Sequence, residues 1–239
     1  MNSAAIQSSP DPAARGAVGK RVERGARTSL PTSFGTFTAY GYTDLLTGAE
    51  HVALVSPGGL LGTRLATPTV RMHSECLTGD VFGSLRCDCG PQLHRSLEEV
   101  AANGGAVLYL RGHEGRGVGL VSKLQAYELQ EAGVDTVDAQ TELGLPVDAR
   151  EYGAAAAILN DLGVDRIALL TNNPVKVQAL REAGITVERV QRIEIPPNPA
   201  NEFYLRTKRD RMGHRVLLED SPTSPHIEST AHSTPTPEV

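Results

Sequence analysis

The sequence predicts an α/β (α+β) fold: a mixed β-sheet with flanking helices and a β-rich N-terminal part, all in one folded domain. Three observations carry that expectation. β-Formers cluster or alternate up to about residue 72, the apolar period lengthens to that of a helix from Pro91, and strand-like and helix-like segments then alternate to residue 190.

In chain order, Phe34–Thr43 and His51–Val55 flank a turn around Asp44 and Gly48 and read as antiparallel strands, with another over Thr67–Met72. Leu93, Leu97 and Val100 fall at helical spacing behind Pro91, which suits a first turn, and Gly104-Gly105 supplies the stop. Strand Ala106–Leu110 follows. The glycine-rich turn His113–Gly119 leads into a helix over 120–132, where Leu120, Leu124 and Tyr127 share one face before Gly133 closes it. A helix over 154–163, a strand over 166–171, an Asn172-Asn173-Pro174 turn, a helix over 175–184 and a last strand over 185–190 complete the run. Residues 1–29 are rich in Ala, Ser, Pro and Arg without apolar periodicity and read as a disordered leader. Residues 220–239 are rich in Ser, Thr and Pro and read as a disordered tail, which leaves 30–219 as the folded domain.

Composition narrows the function. Among 239 residues, 23 Lys and Arg face 28 Asp and Glu, a net charge of −5 that argues against general binding to nucleic acid or an anionic membrane. An anionic ligand therefore needs a local basic cluster. With no Trp, four Phe and six Tyr, a stacking platform for single strands is not expected. No stretch approaches the ~18 apolar residues of a membrane span, and the N-terminus lacks the apolar centre of a secretory signal, so a cytoplasmic protein is expected.

The three cysteines all lie between Cys76 and Cys89, with Cys87 between them. Three positions scattered at random would share so short a window only about 1% of the time, so the clustering points to joint use. Three thiolates can hold Zn²⁺ and leave a tetrahedral corner open, the arrangement of a catalytic metal. The spacing equally allows a closed structural site, with His73 or His94 as fourth ligand. Glycines 79 and 83 let the intervening loop fold back.

A second constellation is the turn Glu114-Gly115-Arg116-Gly117-Val118-Gly119, placed where a strand meets a helix. Backbone N–H groups there can approach phosphate oxygens, the helix start adds positive potential, and a guanidinium can fork onto a phosphate. It lacks the spacing of a Walker loop or a dinucleotide fingerprint, and a plain glycine turn explains it as well. Lys176, just past Asn173-Pro174, is a further phosphate contact or a solvated surface lysine.

The runs Arg71–Asp80 (RMHSECLTGD) and Ser84–Leu93 (SLRCDCGPQL) closely resemble the GTP cyclohydrolase II family of riboflavin biosynthesis. HEGRGVGL, KLQAYELQEAGVDTVDAQ, LGLPVDAR, LLTNNPVK and NEFYLRTKRDRMGH are similar to that family too, so the likeness covers about residues 30–216 in order. No segment resembles the dihydroxybutanone phosphate synthase part fused to this domain in some bacteria, which implies the monofunctional form.

The resemblance implies a zinc enzyme, one Zn²⁺ per subunit, that hydrolyses GTP to 2,5-diamino-6-(5-phosphoribosylamino)pyrimidin-4(3H)-one, formate and pyrophosphate. It implies Mg²⁺ on the substrate triphosphate and a homodimer. Carried over by position, Cys76, Cys87 and Cys89 match the zinc ligands. Arg71, Met72, His73, Ser74, Glu75, Gln92, Glu114, Gly115, Arg116, Thr136, Thr171 and Lys176 match the nucleotide-binding set, and Tyr127, Asp148 and Arg150 the catalytic set. Asp148-x-x-Glu151 also has the spacing of a helix capping box, and Tyr127 also suits core packing beside Leu120 and Leu124. For Arg150 two roles stay open, covalent nucleophile relieved of a proton by Asp148, or stabiliser of charge at the α-phosphate. The alternatives to the full reaction are a paralogue that opens the ring but keeps the formyl group, and a GTP-binding module with a structural zinc.

Overall fold

The computed structural model describes residues 20–60, 67–134 and 141–215. Strands β1 (Val22–Thr32), β2 (Gly35–Asp44), β3 (Glu50–Val55), β4 (Thr69–Ser74), β5 (Gly105–Leu110), β6 (Arg166–Leu170) and β7 (Thr186–Gln191) form one mixed sheet in the order β1-β2-β3-β5-β4-β6-β7. The described helices are α1 (Leu77–Asp80), α2 (Cys89–Asn103), α3 (Leu120–Glu131), α4 (Gly153–Asp161), α5 (Pro174–Glu182) and α6 (Glu202–Met212).

β5 is the pivot. It runs antiparallel to β3 (Val52↔Tyr109) and parallel to β4 (Val70↔Ala106), joining an antiparallel meander to a parallel half. Its alternate residues face two cores: Ala106, Leu108 and Leu110 pack with α4, while Val107 packs with Leu97 and Val100 of α2. A strand covered on both faces reads as a continuous apolar run, which is how AVLYL stands in the sequence. Local signals set the ends. Asn173 caps α5 by accepting the Val175 N–H at 2.9 Å, with Pro174 in the first turn. Gly104 ends α2 at φ 83°, a value that costs glycine nothing.

β4, β5 and β6 are parallel, so their carboxyl ends open on one edge of the sheet. From that edge emerge Glu75-Cys76, the turn after Leu110, and Thr171-Asn172-Asn173, the position where open α/β sheets bind ligands.

The structure corrects three expectations. The leader expected over 1–29 gives way at Val22, where β1 begins. That strand is exposed along nearly its whole length and so carries no apolar alternation; its ladder to β2, from Val22↔Asp44 to Thr32↔Gly35, holds it instead. The apolar face expected on α3 is not buried: Ala126 is its one buried residue and Leu124 is 46% exposed. Asp148 does not cap a helix, because α4 starts only at Gly153. Residues 1–19, Thr136 and the tail expected over 220–239 lie outside the described residues.

Candidate active site

The metal-ligand candidates come from two turns. Cys76 follows β4 and precedes the short α1, while Cys87 and Cys89 bracket Asp88 at the start of α2. Their sulfurs lie within 4.8 Å of one another, with Cys76 Sγ and Cys87 Sγ 3.8 Å apart. Sulfurs on a tetrahedral zinc with bonds of about 2.3 Å stand about 3.8 Å apart, so the spacing fits. Gly79 makes the approach possible: a Cβ there would meet Cys87 Sγ at 2.7 Å and Cys76 Sγ at 3.3 Å. Among the described residues, no fourth His, Asp or Glu joins the sulfurs. His94 packs against Phe34, ring centroids 5.3 Å apart, and His73 is engaged by Asp80. Neither expected fourth ligand takes that position.

Asp80, at the end of α1, is the hub beneath this cluster. Its carboxylate lies 3.0 Å from His73 Nε2 and accepts from the Tyr109 hydroxyl at 2.9 Å and from the Cys76 N–H at 3.0 Å. The His73 ring also stacks on Tyr109. His73 is thus tied to the cysteine turn through Asp80, and burial pushes its pKa down despite the carboxylate.

Alternation along β4 sorts the block Arg71–Glu75. Val70 and Met72 point into the core shared with α4, and Met72 is fully buried there, so what it presents to the site is its carbonyl. Lys176 Nζ donates to that carbonyl at 2.7 Å. Arg71 points the other way, donating to Gln92 Oε1 at 2.7 Å and to the Leu170 carbonyl at 3.1 Å. Ser74 Oγ lies 3.1 Å from His113 Nδ1, and Glu75 accepts from the Gly112 N–H at 2.8 Å.

One cleft is lined by Arg71, His73, Ser74, Glu75 and Gln92 together with the three cysteines, Glu114, Gly115, Arg116, Tyr127, Arg150, Thr171 and Lys176; Met72 does not line it. The glycine-rich turn bends through left-handed conformations at both Gly115 (φ 60°) and Arg116 (φ 64°). At Arg116 this is a strained backbone for a side chain bearing a Cβ. Lys176 is buried rather than solvated. Burial, then the charges of Arg71 and Arg150, push its pKa well below the usual lysine value, and burial draws Arg71 down to about 10. Cations held this closely form a site for an anion.

Asp148 grips Arg150 through Nε at 2.9 Å and Nη2 at 2.5 Å, and also accepts the Arg150 N–H at 3.0 Å. Burial opposes the guanidinium charge, but the Asp148 hydrogen bonds prevail and raise the Arg150 pKa. Tyr127 faces the cleft instead of a core. Arg86 lies over its ring at 4.8 Å and Lys123 at 5.8 Å.

Sequence reasoning missed several lining groups. Lys123 sits one turn before Tyr127 on α3, an i, i+4 spacing that puts both on one face. Tyr204 and Lys208 repeat that spacing on α6, and His214 follows. Lys208 Nζ donates to Asp88 Oδ1 at 2.9 Å, and Asp88 also accepts from Gln92 Nε2 at 2.5 Å. Glu202 and Arg206, four apart on α6, form an ion pair at 2.7 Å, a spacing by which the sequence could have marked this helix.

Residues 23–194 match the family model for GTP cyclohydrolase II. The riboflavin biosynthesis protein RibBA of Salinispora arenicola (strain CNS-205) is 57% identical over 204 residues, which cover 84% of this chain and 47% of that protein. RibBA of Rhodococcus jostii (strain RHA1) is 57% identical over 205 residues, 84% of this chain and 49% of that protein. The chain thus spans about half the length of the curated relatives it matches. The solved structure of RibBX, a two domain 3,4-dihydroxy-2-butanone 4-phosphate synthase from A. baumannii, aligns over 75% of this chain and 42% of that one, at 23% identity and a TM-score of 0.41. Matched across the cysteine cluster, the glycine-rich turn and the Asn173-capped helix, the chain belongs to the GTP cyclohydrolase II family.

Proposed function

We propose that this chain hydrolyses GTP to 2,5-diamino-6-(5-phosphoribosylamino)pyrimidin-4(3H)-one, formate and pyrophosphate, with zinc on Cys76, Cys87 and Cys89. The observation that carries the reading is three converging sulfurs with no fourth protein ligand among the described residues, in one cleft with a cluster of buried cations. When bound, zinc supplies a Lewis acid and acidifies water for hydrolysis at purine C8.

The protein's own residues do the rest. Lys176, Arg71 and Arg116 receive the triphosphate, whose charge offsets the mutual repulsion of these cations. Arg150 stabilises charge at the α-phosphate as pyrophosphate departs. Both Nε and Nη2 are committed to Asp148, and the raised pKa keeps the guanidinium protonated, which favours charge stabilisation over nucleophilic attack. Asp148 is then a positioning residue. Mg²⁺ accompanies the triphosphate because the leaving group gathers negative charge. Thr171 lines the nucleotide site, and Thr136 belongs to the same expected set. A homodimer and a cytoplasmic setting complete the proposal; among the described residues no helix is long and apolar enough to cross a membrane.

Product analysis after incubating zinc-loaded protein with GTP and Mg²⁺ tests this reading. Formate and pyrophosphate are expected together, and release of neither marks a binding module with a structural zinc. The formyl-retaining alternative turns on Tyr127, whose phenol faces the cleft beside the cysteines. Tyr127→Phe is expected to bind GTP and accumulate the formamido product; formate release at the wild-type rate removes the tyrosine from the mechanism.

A further inference from the structure

Lys123 makes three polar contacts that the reading above does not use. Its Nζ donates to Cys76 Sγ at 3.2 Å, Thr78 Oγ1 at 2.8 Å and Glu114 Oε1 at 2.7 Å. An ammonium has three donors, so all are committed and the head group is fixed. The lysine side chain is 11% exposed and Glu114 9%, so water screens these contacts weakly. Glu114 in turn accepts the Leu77 N–H at 2.6 Å, which returns the connection to the start of α1. Thr78 Oγ1 also stands 3.7 Å from Cys76 Sγ.

We propose that Lys123 is a positioning residue of the metal centre: its ammonium offsets part of the negative charge of the three-thiolate shell through Cys76 and locks that shell to the Glu114 turn. The inference rests on the cysteines being zinc ligands. A dication held by three thiolates carries a net charge of −1, in a largely buried site where uncompensated charge is costly. The ammonium offsets that charge locally, at Cys76, while Glu114 shares the ammonium and holds it in place. A charge-assisted hydrogen bond also draws electron density from the sulfur it touches, lowering that sulfur's reactivity without removing it as a ligand. The sulfur the ammonium contacts is that of Cys76, which follows β4 and precedes α1. The same ammonium joins the metal loop to the turn that lines the cleft, so displacement of either is felt by the other.

The experiment uses the full chain loaded with Co²⁺ in place of Zn²⁺, because thiolate-to-cobalt charge-transfer absorption reports electron density at sulfur. Lys123→Met is expected to move that band to longer wavelength, to speed alkylation of the metal-loaded protein by iodoacetamide, and to weaken zinc binding about 10- to 100-fold. Lys123→Arg is expected to restore the band and most of the affinity. A Lys123→Met protein with the wild-type band and zinc affinity within about twofold of wild type overturns the proposal, since an ion pair serving only to fold α3 leaves sulfur untouched. Should Lys123→Met not fold, Lys123→Gln takes its place: a band between wild type and longer wavelength supports the proposal, and an unmoved band overturns it. Wild-type protein that takes up no cobalt overturns the zinc reading itself, and this inference falls with it.

Discussion

Gly79 fixes how closely α1 lies over the sulfurs, and it is the residue at which metal binding and packing are least separable. A methyl group there would stand 2.7 Å from Cys87 Sγ and 3.0 Å from Cys89 Cβ, closer than side-chain atoms pack. Gly79→Ala is therefore expected to spread the cysteine cluster, leaving purified protein with less than half the wild-type zinc by metal analysis and costing about 1–3 kcal/mol in denaturant unfolding. Full zinc occupancy in that variant means the sulfurs adjust freely. Arg116 separates backbone from side chain in the other direction. Its φ of 64° is strained for any residue with a Cβ, whereas its backbone carbonyl accepts the Ala149 N–H at 2.9 Å whatever side chain is present. Arg116→Gly and Arg116→Ala both delete the guanidinium and are both expected to lose GTP turnover. The glycine variant is expected to be the more stable by about 1 kcal/mol in urea titration, because only glycine adopts this conformation without penalty. Equal stabilities contradict the left-handed backbone at this position.

Among the elements, α6 shows how a helix outside the family match still completes the cleft. Lys208 reaches Asp88 between two cysteines, with side chains 13% and 6% exposed, and its ammonium lies 4.3 Å from the centre of the Tyr204 ring. Removing one partner of a buried pair strands the other. Lys208→Met is expected to cost about 3 kcal/mol in thermal or denaturant unfolding, and replacement of Asp88 by Asn in the same chain is expected to recover part of that loss. A single variant within 0.5 kcal/mol of wild type by the same measurements places α6 off the site. Such elements also mark the boundary of what the sequence made legible. The strands and helices with an inward apolar face, β3 to β5 and α2, follow directly from period, and Asn173-Pro174 announces α5 by its cap. β1 and α6 offered no such stripe, because β1 is fastened by backbone pairing and α6 by Tyr204, Lys208 and Leu205. α3 misled for the opposite reason: Leu120, Leu124 and Tyr127 do share a helix face, but spacing alone cannot tell a face turned to a core from one turned to a cleft. The three cysteines were legible as a unit from their clustering. Lys123 and Asp80 were not, since their partners are met only after folding.

Taken as a whole, the molecule sets an acidic chain, net −5, around a cleft lined by Arg71, Arg116, Arg150, Lys176 and Lys208. This concentration of cations bears on every imidazole nearby. Burial, followed by the charge of Lys176, pushes the His113 pKa down to about 3; burial, followed by Lys208, does the same to His214. In the unfolded chain both return to about 6.5. Between those values the unfolded state binds the extra protons, so stability present above pH 6.5 is lost as the pH falls towards 3. At pH 5.5 the two histidines together cost about 3 kcal/mol, and the melting temperature is expected to drop accordingly between pH 7.5 and pH 5.5, before most carboxylates titrate. His51 and His73 are shifted in the same direction by burial, so His113→Asn combined with His214→Asn should shrink that drop without abolishing it. Pyrophosphate offers an independent check. An anion among these cations weakens the field that keeps His113 and His214 neutral, so saturating pyrophosphate is expected to raise the melting temperature and flatten its dependence on pH over the same interval. A melting temperature that falls equally with and without pyrophosphate, and equally in the double variant, would show that the acid sensitivity originates away from the cleft.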